Sequence, residues 1–357
     1  MATIKNYFPG GNTPEGFYSF YKYLPYNVEK VYIIKGGPGT GKSTFMKQVA
    51  YDLNELNYDI EFHWCSSDND SLDGVVIPDL KTAFLDGTAP HMIDPLYPGA
   101  VEKIINLGQY RDDINLAKNK DNIINLTQLI SKRFKQSYHY LKSASIIYQH
   151  WKNYYESNQE KELYYKVIVK LIDKYIIKKD IKFSPERHLF ASAITPEGSV
   201  NHLENLTEDI KNRIIINGNP GTGKSQLIND FCNESKKYGY SITYLHCPLE
   251  PEKLDGAIIQ ELNTALIVGT PPHYIEPDSK NDQIINLNET INIDNLKNFY
   301  DEILDAEKLY NDLMKRVYYF LRKAKQTHDK LEEYYIGAMD FESIEEYRKT
   351  LIKKILP

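Results

Sequence analysis

The sequence predicts an α/β fold that occurs twice in tandem, with a long helical arm in each copy. Three observations support this prediction. The chain of 357 residues repeats itself, each repeat alternates short apolar strand patterns with helical patterns, and each repeat ends in a long amphipathic pattern. The net charge is −6, no apolar run is long enough to span a membrane, and the three cysteines lack metal or disulfide spacing. We therefore expect a cytoplasmic protein with no membrane contact.

The internal repeat extends over most of the chain. Residues 33–95 align without a gap with residues 215–277, which lie 182 positions later. The segment Thr-Pro-Glu-Gly at residues 13–16 returns at 195–198 with the same offset. Further along, Tyr154 and its neighbour return 180 positions later, so a small deletion separates the copies.

The repeat sets the predicted domain boundary near Lys182. We predict one domain over residues 1–182 and a second over residues 183–357. The amphipathic patterns place the helical arms at about 119–180 and about 295–355.

Each copy is predicted to build its core from about four strands in a parallel sheet with flanking helices. A first short strand is followed by a helix, with Thr13 or Thr195 as N-cap and Pro14 or Pro196 as the first helical residue. The later predicted strands end at Lys35, Cys65 and Asp86 in copy 1 and at Asn217, Cys247 and Val268 in copy 2.

Two glycine-rich segments match the pattern GxxxxGK[ST], which is the Walker A phosphate-binding loop. They are GGPGTGKS at residues 36–43 and GNPGTGKS at residues 218–225, and each follows an apolar strand and opens a helix. The glycines allow backbone N–H groups to point at phosphate oxygens, and the helix N-terminus adds its positive end. The predicted nucleotide-binding residues are Gly36, Gly37, Pro38, Gly39, Thr40, Gly41, Lys42, Ser43, Thr44, Gly218, Asn219, Pro220, Gly221, Thr222, Gly223, Lys224, Ser225 and Gln226. A sheet of this class usually has five strands, so either a strand is missed or the copies share a sheet.

The expected cofactors are ATP and Mg²⁺. Lys42 and Lys224 are expected to reach the β- and γ-phosphates, and the hydroxyls of Ser43 and Ser225 to bind the metal. ATP is favoured over GTP because the guanine-reading pattern NKxD is absent; the similar residues 119–122 end in asparagine.

An NTPase also needs an acidic residue that helps to hold Mg²⁺ at the end of a neighbouring strand. Asp86 is the preferred candidate in copy 1, although a turn aspartate before glycine is an alternative role for it. Asp79 is the second candidate, but the proline before it predicts a poor central strand. Copy 2 has Val268 at the position of Asp86 and Glu261 at that of Asp79.

Two further acidic or imidazole positions occur in both copies. Asp73 and Asp255 follow the second predicted strand, where they could orient water or metal or simply form a turn. His91 and His273 follow the third strand, where they could contact phosphate, carry a proton or be packed as structural histidines. We therefore take Lys42, Asp73, Asp86 and His91 as the candidate catalytic residues.

The copies differ after the second predicted strand. Copy 1 has Ser66, Ser67 and Asp68, which could accept a phosphoryl group or bind a substrate, whereas copy 2 has Pro248 and Leu249 in the corresponding segment.

The arm of copy 1 is basic. Residues 131–182 contain 12 Lys and Arg against 5 Asp and Glu, with aromatic residues interleaved. This composition suits a nucleic acid or an acidic protein partner, or alternatively a solvated lysine-rich face with its aromatic residues packed inward. No arginine finger can be assigned, but a tandem pair could place one arm over the other copy's site.

These motifs resemble a family of tandem P-loop proteins from clostridia and related Gram-positive bacteria, described as predicted ATPases or nucleotide kinases. The residues that carry the resemblance are the two glycine loops, the two Thr-Pro-Glu-Gly segments, residues 66–78 and residues 86–91. The resemblance spans nearly the whole chain and implies ATP binding by a cytoplasmic protein. It implies no particular substrate.

We therefore expect a tandem P-loop NTPase, an ATPase that hydrolyses MgATP in copy 1 and binds nucleotide in a regulatory or structural role in copy 2. One alternative is a small-molecule or nucleotide kinase with residues 66–68 in its acceptor site. Another is a switch without enzymatic activity, in which nucleotide occupancy moves the arms and exposes a partner-binding face.

Overall fold

The computed structural model describes residues 2–88, 92–179, 185–277 and 282–356. It is an α/β structure with two six-stranded sheets, one in each half of the chain. The predicted boundary near Lys182 lies outside the described residues.

The first half alternates strands and helices before it ends in two consecutive long helices. Within its described residues it contains β1 (Ile4–Tyr7), β2 (Gly10–Thr13), β3 (Gly16–Ser19), β4 (Lys30–Lys35), α1 (Lys42–Glu55), β5 (Ile60–Cys65), β6 (Asp68–Ile77), β7 (Thr82–Asp86), β8 (Glu102–Asn106), α2 (Asp113–Lys118), α3 (Lys120–Glu156) and α4 (Lys161–Tyr175).

The second half has nearly the same order of elements, with one short helix between the hairpin and the next strand. Its described residues contain β9 (Glu186–Phe190), β10 (Ser192–Thr195), β11 (Gly198–Asn201), α5 (Leu203–Thr207), β12 (Asn212–Asn217), α6 (Lys224–Lys237), β13 (Ile242–His246), β14 (Leu254–Ile259), β15 (Thr264–Val268), β16 (Asp282–Asn286), α7 (Ile293–Leu296), α8 (Tyr300–Ile336) and α9 (Phe341–Ile355).

The two sheets share one topology. The first has the strand order β1-β5-β6-β7-β4-β8, and the second has the order β9-β13-β14-β15-β12-β16. In each sheet five strands run in one direction, whereas β6 or β14 is antiparallel to both of its neighbours. The prediction of a purely parallel sheet is therefore wrong, since each sheet is mixed.

Two strands of each six-stranded sheet were not predicted. The strand β6 contains the Leu-Asp-Gly segment, which the sequence assigns to a turn because Asp and Gly are common there. The strand β8 is short and mostly exposed, so it lacks the apolar pattern of a central strand. The expectation of about four strands was accordingly too low, and the halves do not share a sheet.

The predicted helix after Thr13 is also wrong. Residues 10–19 form the hairpin β2–β3, in which Gly16 has φ of 103° and Thr13 Oγ1 accepts a hydrogen bond from the Glu15 N–H. The hairpin β10–β11 repeats this arrangement around Thr195. Asp, Ser or Thr before Pro can cap a helix or stabilise a turn, and here the following glycine favours the turn.

The two long helices α3 and α8 are confirmed as the first part of each arm, and they pack against each other in antiparallel directions. Tyr148 contacts Tyr310 near one end of the pair, and Arg133 donates to the Lys323 carbonyl near the other. Leu141, Ala144, Val317 and Leu321 form the buried contact between them.

The second helix of each arm covers the sheet of the opposite half. Leu171 and Ile168 of α4 pack with Phe231 of α6 in the core of the second half. Leu351 and Ile352 of α9 pack with Phe45 and other residues of α1 in the core of the first half. The halves have therefore exchanged their last helices, and each core is incomplete without the other half.

Contacts between equivalent residues show that the halves are related by an approximate two-fold symmetry. The Phe8 and Phe190 backbones exchange two hydrogen bonds, of 2.9 and 3.0 Å. Asn12 donates to the carbonyl of Ile194, and Ser137 donates to the carbonyl of Val317. Only a two-fold relation brings many residues against their own counterparts. In the part of the chain that the structure describes, no helix is long and apolar enough to cross a membrane.

Candidate functional site

The first candidate site lies at the carboxyl end of β4, between two parallel neighbours. β4 pairs with β7 on one side and with β8 on the other, and the register sets Ile34 beside Asp86 and Lys35 beside Asn106. The first glycine loop (residues 36–43) leaves β4 at this edge and enters α1. Ligands commonly bind where the carboxyl ends of parallel strands meet a helix N-terminus.

Two glycines of the first glycine loop adopt a left-handed backbone conformation. Gly39 and Gly41 have φ of 66° and 82°, and Gly41 is the N-cap residue of α1. A side chain is strained in this left-handed conformation, which explains glycine at both positions. The Lys42 ammonium donates 2.8 Å to the Gly37 carbonyl and lies 3.6 Å from the Asp86 carboxylate.

Two side chains whose oxygen atoms could bind a metal ion lie beside this lysine. Ser43 Oγ accepts a hydrogen bond of 2.9 Å from the Leu72 N–H, which fixes its position at the start of α1. Asp86 ends β7, is largely buried and accepts a 2.8 Å bond from the Thr88 N–H. The arrangement suits a hard cation, which prefers oxygen ligands, next to an anion held by the loop and Lys42. Thr44, another predicted binding residue, follows within α1.

Asp73 lies in β6, and the antiparallel direction of this strand brings it to the same edge as Asp86. Gly74 pairs with Leu85, so the residue before Gly74 lies next to the end of β7. Asp73 is only 4% exposed. Burial, together with the neighbouring Asp86 charge, raises the pKa of Asp73 to about 7, although hydrogen bonds from Tyr21 and Cys65 oppose the shift.

His91 and Asp79 were also predicted as candidates for the first site. His91 lies outside the described residues. Asp79 follows β6 at the opposite edge of the sheet and accepts a 3.1 Å bond from the Asp59 N–H, so geometry favours Asp86 as the acidic residue of this site. The prediction that Pro78 makes residues 75–79 a poor central strand was wrong, because residues 75–77 belong to β6, which lies between two other strands and ends just before Pro78.

Residues 66–68 do not form an open polar surface. Ser66 is fully buried, and its hydroxyl has no hydrogen-bond partner among the residues that the structure describes. Asp68 accepts a 2.8 Å bond from Ser71 and lies 3.4 Å from the Lys325 ammonium of the opposite arm.

The second glycine loop (residues 218–225) repeats the geometry of the first. Gly221 and Gly223 have φ of 86° and 87°. Lys224 donates to the Gly218 and Asn219 carbonyls, at 2.6 and 2.8 Å. Ser225 Oγ accepts a 2.8 Å bond from the Leu254 N–H, as Ser43 does from Leu72.

The groups around the second loop differ from those around the first. Val268 ends β15, is buried and offers no oxygen ligand at the position of Asp86. Asp255 of β14 corresponds to Asp73, but its carboxylate lies 2.9 Å from His273 Nε2 and accepts a 3.4 Å bond from Ser192. Glu261, like Asp79, accepts a backbone hydrogen bond, here 3.1 Å from the Ser241 N–H. Gln226, the last predicted binding residue, donates instead to Asp230 at 2.7 Å.

Each glycine loop is covered by the arm of the opposite half. At the first loop, Glu332 Oε1 accepts a 3.1 Å hydrogen bond from the Gly39 N–H, and Tyr335 and Phe341 lie against Gly37 and Gly41. At the second loop, Gln159 donates 2.8 Å to the Thr222 carbonyl. Tyr164 and the Lys152 carbonyl lie against Gly223 and Gly221.

Lys152, whose backbone lies against Gly221 of the second loop, carries a buried ammonium. Its Nζ donates 2.7 Å to Glu250, and its side chain is 9% exposed. Burial, with a smaller contribution from the Lys152 charge, lowers the pKa of Lys224 to about 8, although the Asp255 charge opposes the shift. Asp73 of the first site thus has an acidic counterpart in Asp255, whereas Val268 and Lys152 of the second site replace the carboxylates of Asp86 and Glu332.

The aromatic residues of the basic arm pack mainly inside the helix pair. Tyr140 stacks on Phe320, and Trp151 and Tyr148 contact Tyr310. This packing agrees with the alternative of a solvated lysine-rich face whose aromatic residues are packed inward.

Sequence reasoning missed Lys152 and Glu332. Both occupy the same position of the repeat, 180 residues apart, with opposite charge. The opposite charges at this repeat position were visible in the sequence. Their effect on the sites depends on the exchange of the arms, which the sequence did not show.

Comparison with known proteins identifies no relative: no family model, no curated protein and no solved structure matches this chain. The function is therefore argued from the two sites themselves.

Proposed function

We propose that this protein is a P-loop NTPase with two tandem copies of a nucleotide-binding core, and that it binds ATP at both glycine loops. The observation that carries the proposal is the geometry of the two loops. In each, a lysine and a serine open a helix at the carboxyl end of a parallel strand, and the lysine ammonium lies over the loop carbonyls. This arrangement suits the phosphates of a nucleotide.

The first site has the residues that a magnesium nucleotide requires. Ser43 and Asp86 would hold Mg²⁺, because both offer oxygen and both lie beside Lys42 at one sheet edge. Bound Mg²⁺ would neutralise charge on the phosphates. Lys42 would bind the phosphates, replacing its present bonds to the loop carbonyls.

Asp73 is the residue of the first site best suited to move a proton. It is buried at the same edge as Asp86, and burial raises its pKa to about 7. A group that exchanges its proton near neutral pH can accept one from an attacking water. We therefore assign hydrolysis of ATP to the first site.

The second site supports binding without efficient hydrolysis. It keeps the glycine loop, Lys224 and Ser225, but Val268 removes the acidic metal ligand. Asp255 is already engaged by His273 and Ser192. We propose a regulatory or structural role for nucleotide at this loop, and the coverage of each loop by the opposite arm supports communication between the sites.

A kinase that uses residues 66–68 as its acceptor site receives less support. Ser66 is fully buried and Asp68 lies within reach of Lys325, so neither faces an open acceptor space.

The test is ATP hydrolysis by the purified full chain, with and without Mg²⁺ and with no added acceptor. We expect phosphate release that requires Mg²⁺ and that Lys42→Ala abolishes. Lys47→Ala is the matched control, because Lys47 lies in the same helix but bonds to the Asp70 carbonyl of β6. Turnover that persists at the wild-type rate in Lys42→Ala would contradict the proposal.

A further inference from the structure

The two arms carry opposite charges at the position that reaches the opposite glycine loop. Lys152 of α3 and Glu332 of α8 occupy the same place in the repeat, 180 residues apart. Because the arms are exchanged, Lys152 lies at the second loop and Glu332 lies at the first. A single position of the repeat thus has a cationic residue beside one loop and an anionic residue beside the other.

Glu332 occupies a hydrogen-bond donor of the first loop. Its carboxylate accepts the Gly39 N–H at 3.1 Å, and a methyl group on Gly39 would lie 2.8 Å from the Glu332 carbonyl oxygen. Hydrogen bonds from backbone N–H groups to carboxylates are charge-assisted and therefore stronger than neutral ones. An incoming anion at this loop has to displace the carboxylate and also meets its repulsion.

Lys152 lies against the second loop and carries a buried, ion-paired ammonium. Its ammonium is almost entirely buried against Glu250, and its carbonyl oxygen would overlap a methyl group on Gly221. The acidic groups facing this cluster are Glu250, Glu156 at 3.8 Å from Lys152, and Asp255, which is shared with His273. The Lys152 charge also contributes to lowering the pKa of Lys224, and phosphate bound near both ammonium groups would offset this repulsion.

We propose that the exchanged arms set the order in which the loops bind nucleotide. Lys152 binds phosphate in trans at the second loop, whereas the Glu332 carboxylate competes with phosphate at the first loop, so the second loop fills first. The inference rests on the proposed function, since it assumes that both loops bind ATP. It adds the residues that make their affinities unequal.

The test isolates one loop at a time in the full chain and measures ATP binding with Mg²⁺ by calorimetry. In the Lys42→Ala background, which leaves only the second loop, Lys152→Gln is expected to weaken binding about 10- to 100-fold, as loss of a charged hydrogen bond does. Lys152→Arg is expected to stay within a few-fold of the parent. The control is Lys142→Gln, which removes an exposed lysine of the same helix that pairs with Glu15.

In the Lys224→Ala background, which leaves only the first loop, Glu332→Gln is expected to tighten ATP binding about 10-fold because it removes the competing charge. Glu333→Gln, which changes the exposed neighbour on α8, is the control and is expected to have no effect.

A variant that keeps Lys152 distinguishes loss of its charge from a disturbed fold. Lys152→Gln leaves Glu250 without its ion pair, so Glu250→Gln is measured alone in the Lys42→Ala background. It frees Lys152 from its internal partner and is expected to tighten ATP binding several-fold.

The outcomes separate the two proposals. Equal affinities at the two loops, with Lys152→Gln, Glu250→Gln and Glu332→Gln all within two-fold of their parents, would overturn the inference and leave the proposed function intact. Failure of the wild type to bind ATP at either loop would contradict the proposed function.

Discussion

The two glycine-loop sites have the same backbone and different chemistry. Lys42 and Lys224 both fold over their loops, and Ser43 and Ser225 both accept a hydrogen bond from the strand beside them. The first site adds Asp73, Asp86 and Glu332, whereas the second adds Lys152, Val268 and an Asp255–His273 pair. A repeated core can thus keep its glycine loop while the residues around that loop diverge.

The exchange of the arms makes each site depend on both halves of the chain. The residues that cover each loop belong to the other half, so the surroundings of one site are encoded in the opposite repeat. One half alone could not reproduce either site, because its core also lacks its last helix.

The largest expected effect separates the loop lysines. Lys42→Ala is expected to reduce ATP turnover more than 100-fold, since it removes a cation from the site to which we assign hydrolysis. Lys224→Ala is expected to keep turnover within about 10-fold while removing one of two bound nucleotides. Phosphate release and equilibrium dialysis measure the two quantities. Loss of turnover in Lys224→Ala with normal turnover in Lys42→Ala would reverse the assignment.

The acidic residue of the first site gives the next largest effect. Asp86→Asn is expected to lower turnover about 100-fold and to raise the Mg²⁺ concentration needed for half-maximal activity, since the amide carries no charge. Titration of Mg²⁺ in a phosphate-release assay measures both. Asp94→Asn, which changes an exposed carboxylate near Lys35, is the control. An unchanged Mg²⁺ requirement would rule out the assigned role of Asp86.

The exchange of the arms predicts destabilisation of the opposite half. Leu171→Ala and Leu351→Ala remove equivalent buried leucines of α4 and α9, at a cost of about 2–5 kcal/mol each. Leu171→Ala is expected to speed hydrogen exchange in α6 of the second half, and Leu351→Ala in α1 of the first. Mass spectrometry of peptides from both helices measures this. Faster hydrogen exchange confined to the half that carries the substitution would contradict the crossing of the arms.

The smallest effect concerns the protonation of Asp73. Because its pKa in the folded protein is raised to about 7, protonated Asp73 stabilises the fold fully below its unfolded pKa of 3.8. That contribution is lost as the pH rises through 7. Asp73→Asn avoids the loss, so its free energy of unfolding relative to wild type is expected to rise by about 1–3 kcal/mol from pH 5 to pH 8.

Urea unfolding at the two pH values measures this change. Asp70→Asn, at an exposed position of the same strand, is the control and is expected to show no pH-dependent difference. A difference between Asp73→Asn and wild type that stays constant from pH 5 to pH 8 would count against a raised pKa.

Local features of this fold were predictable from the sequence, and features set by distant contacts were not. The glycine loops and the helices α3 and α8 were predicted because a loop motif and a helical period are local signals. The strand β6 was missed because Asp68, Asn69, Asp70 and Ser71 suggest a loop, whereas pairing with both β5 and β7 makes the segment a strand.

The same limit applies to the candidate sites. Asp86 beside Lys42 followed from the strand pattern, since the carboxyl ends of adjacent parallel strands meet. Lys152 and Glu332 reach their loops only because α3 and α8 pair in antiparallel directions and the next helices cross to the other half. No spacing within one repeat encodes that pairing.

The most direct test of unequal loops is the fate of labelled ATP on the wild-type chain. Radiolabelled ATP is bound with Mg²⁺, free nucleotide is removed, and the bound ATP and ADP are followed with time. We expect two nucleotides per chain, one converted to ADP quickly and the other retained as ATP, with the retained one absent from Lys224→Ala. Conversion of both at one rate, or retention unchanged in Lys224→Ala, would contradict unequal roles of the two loops.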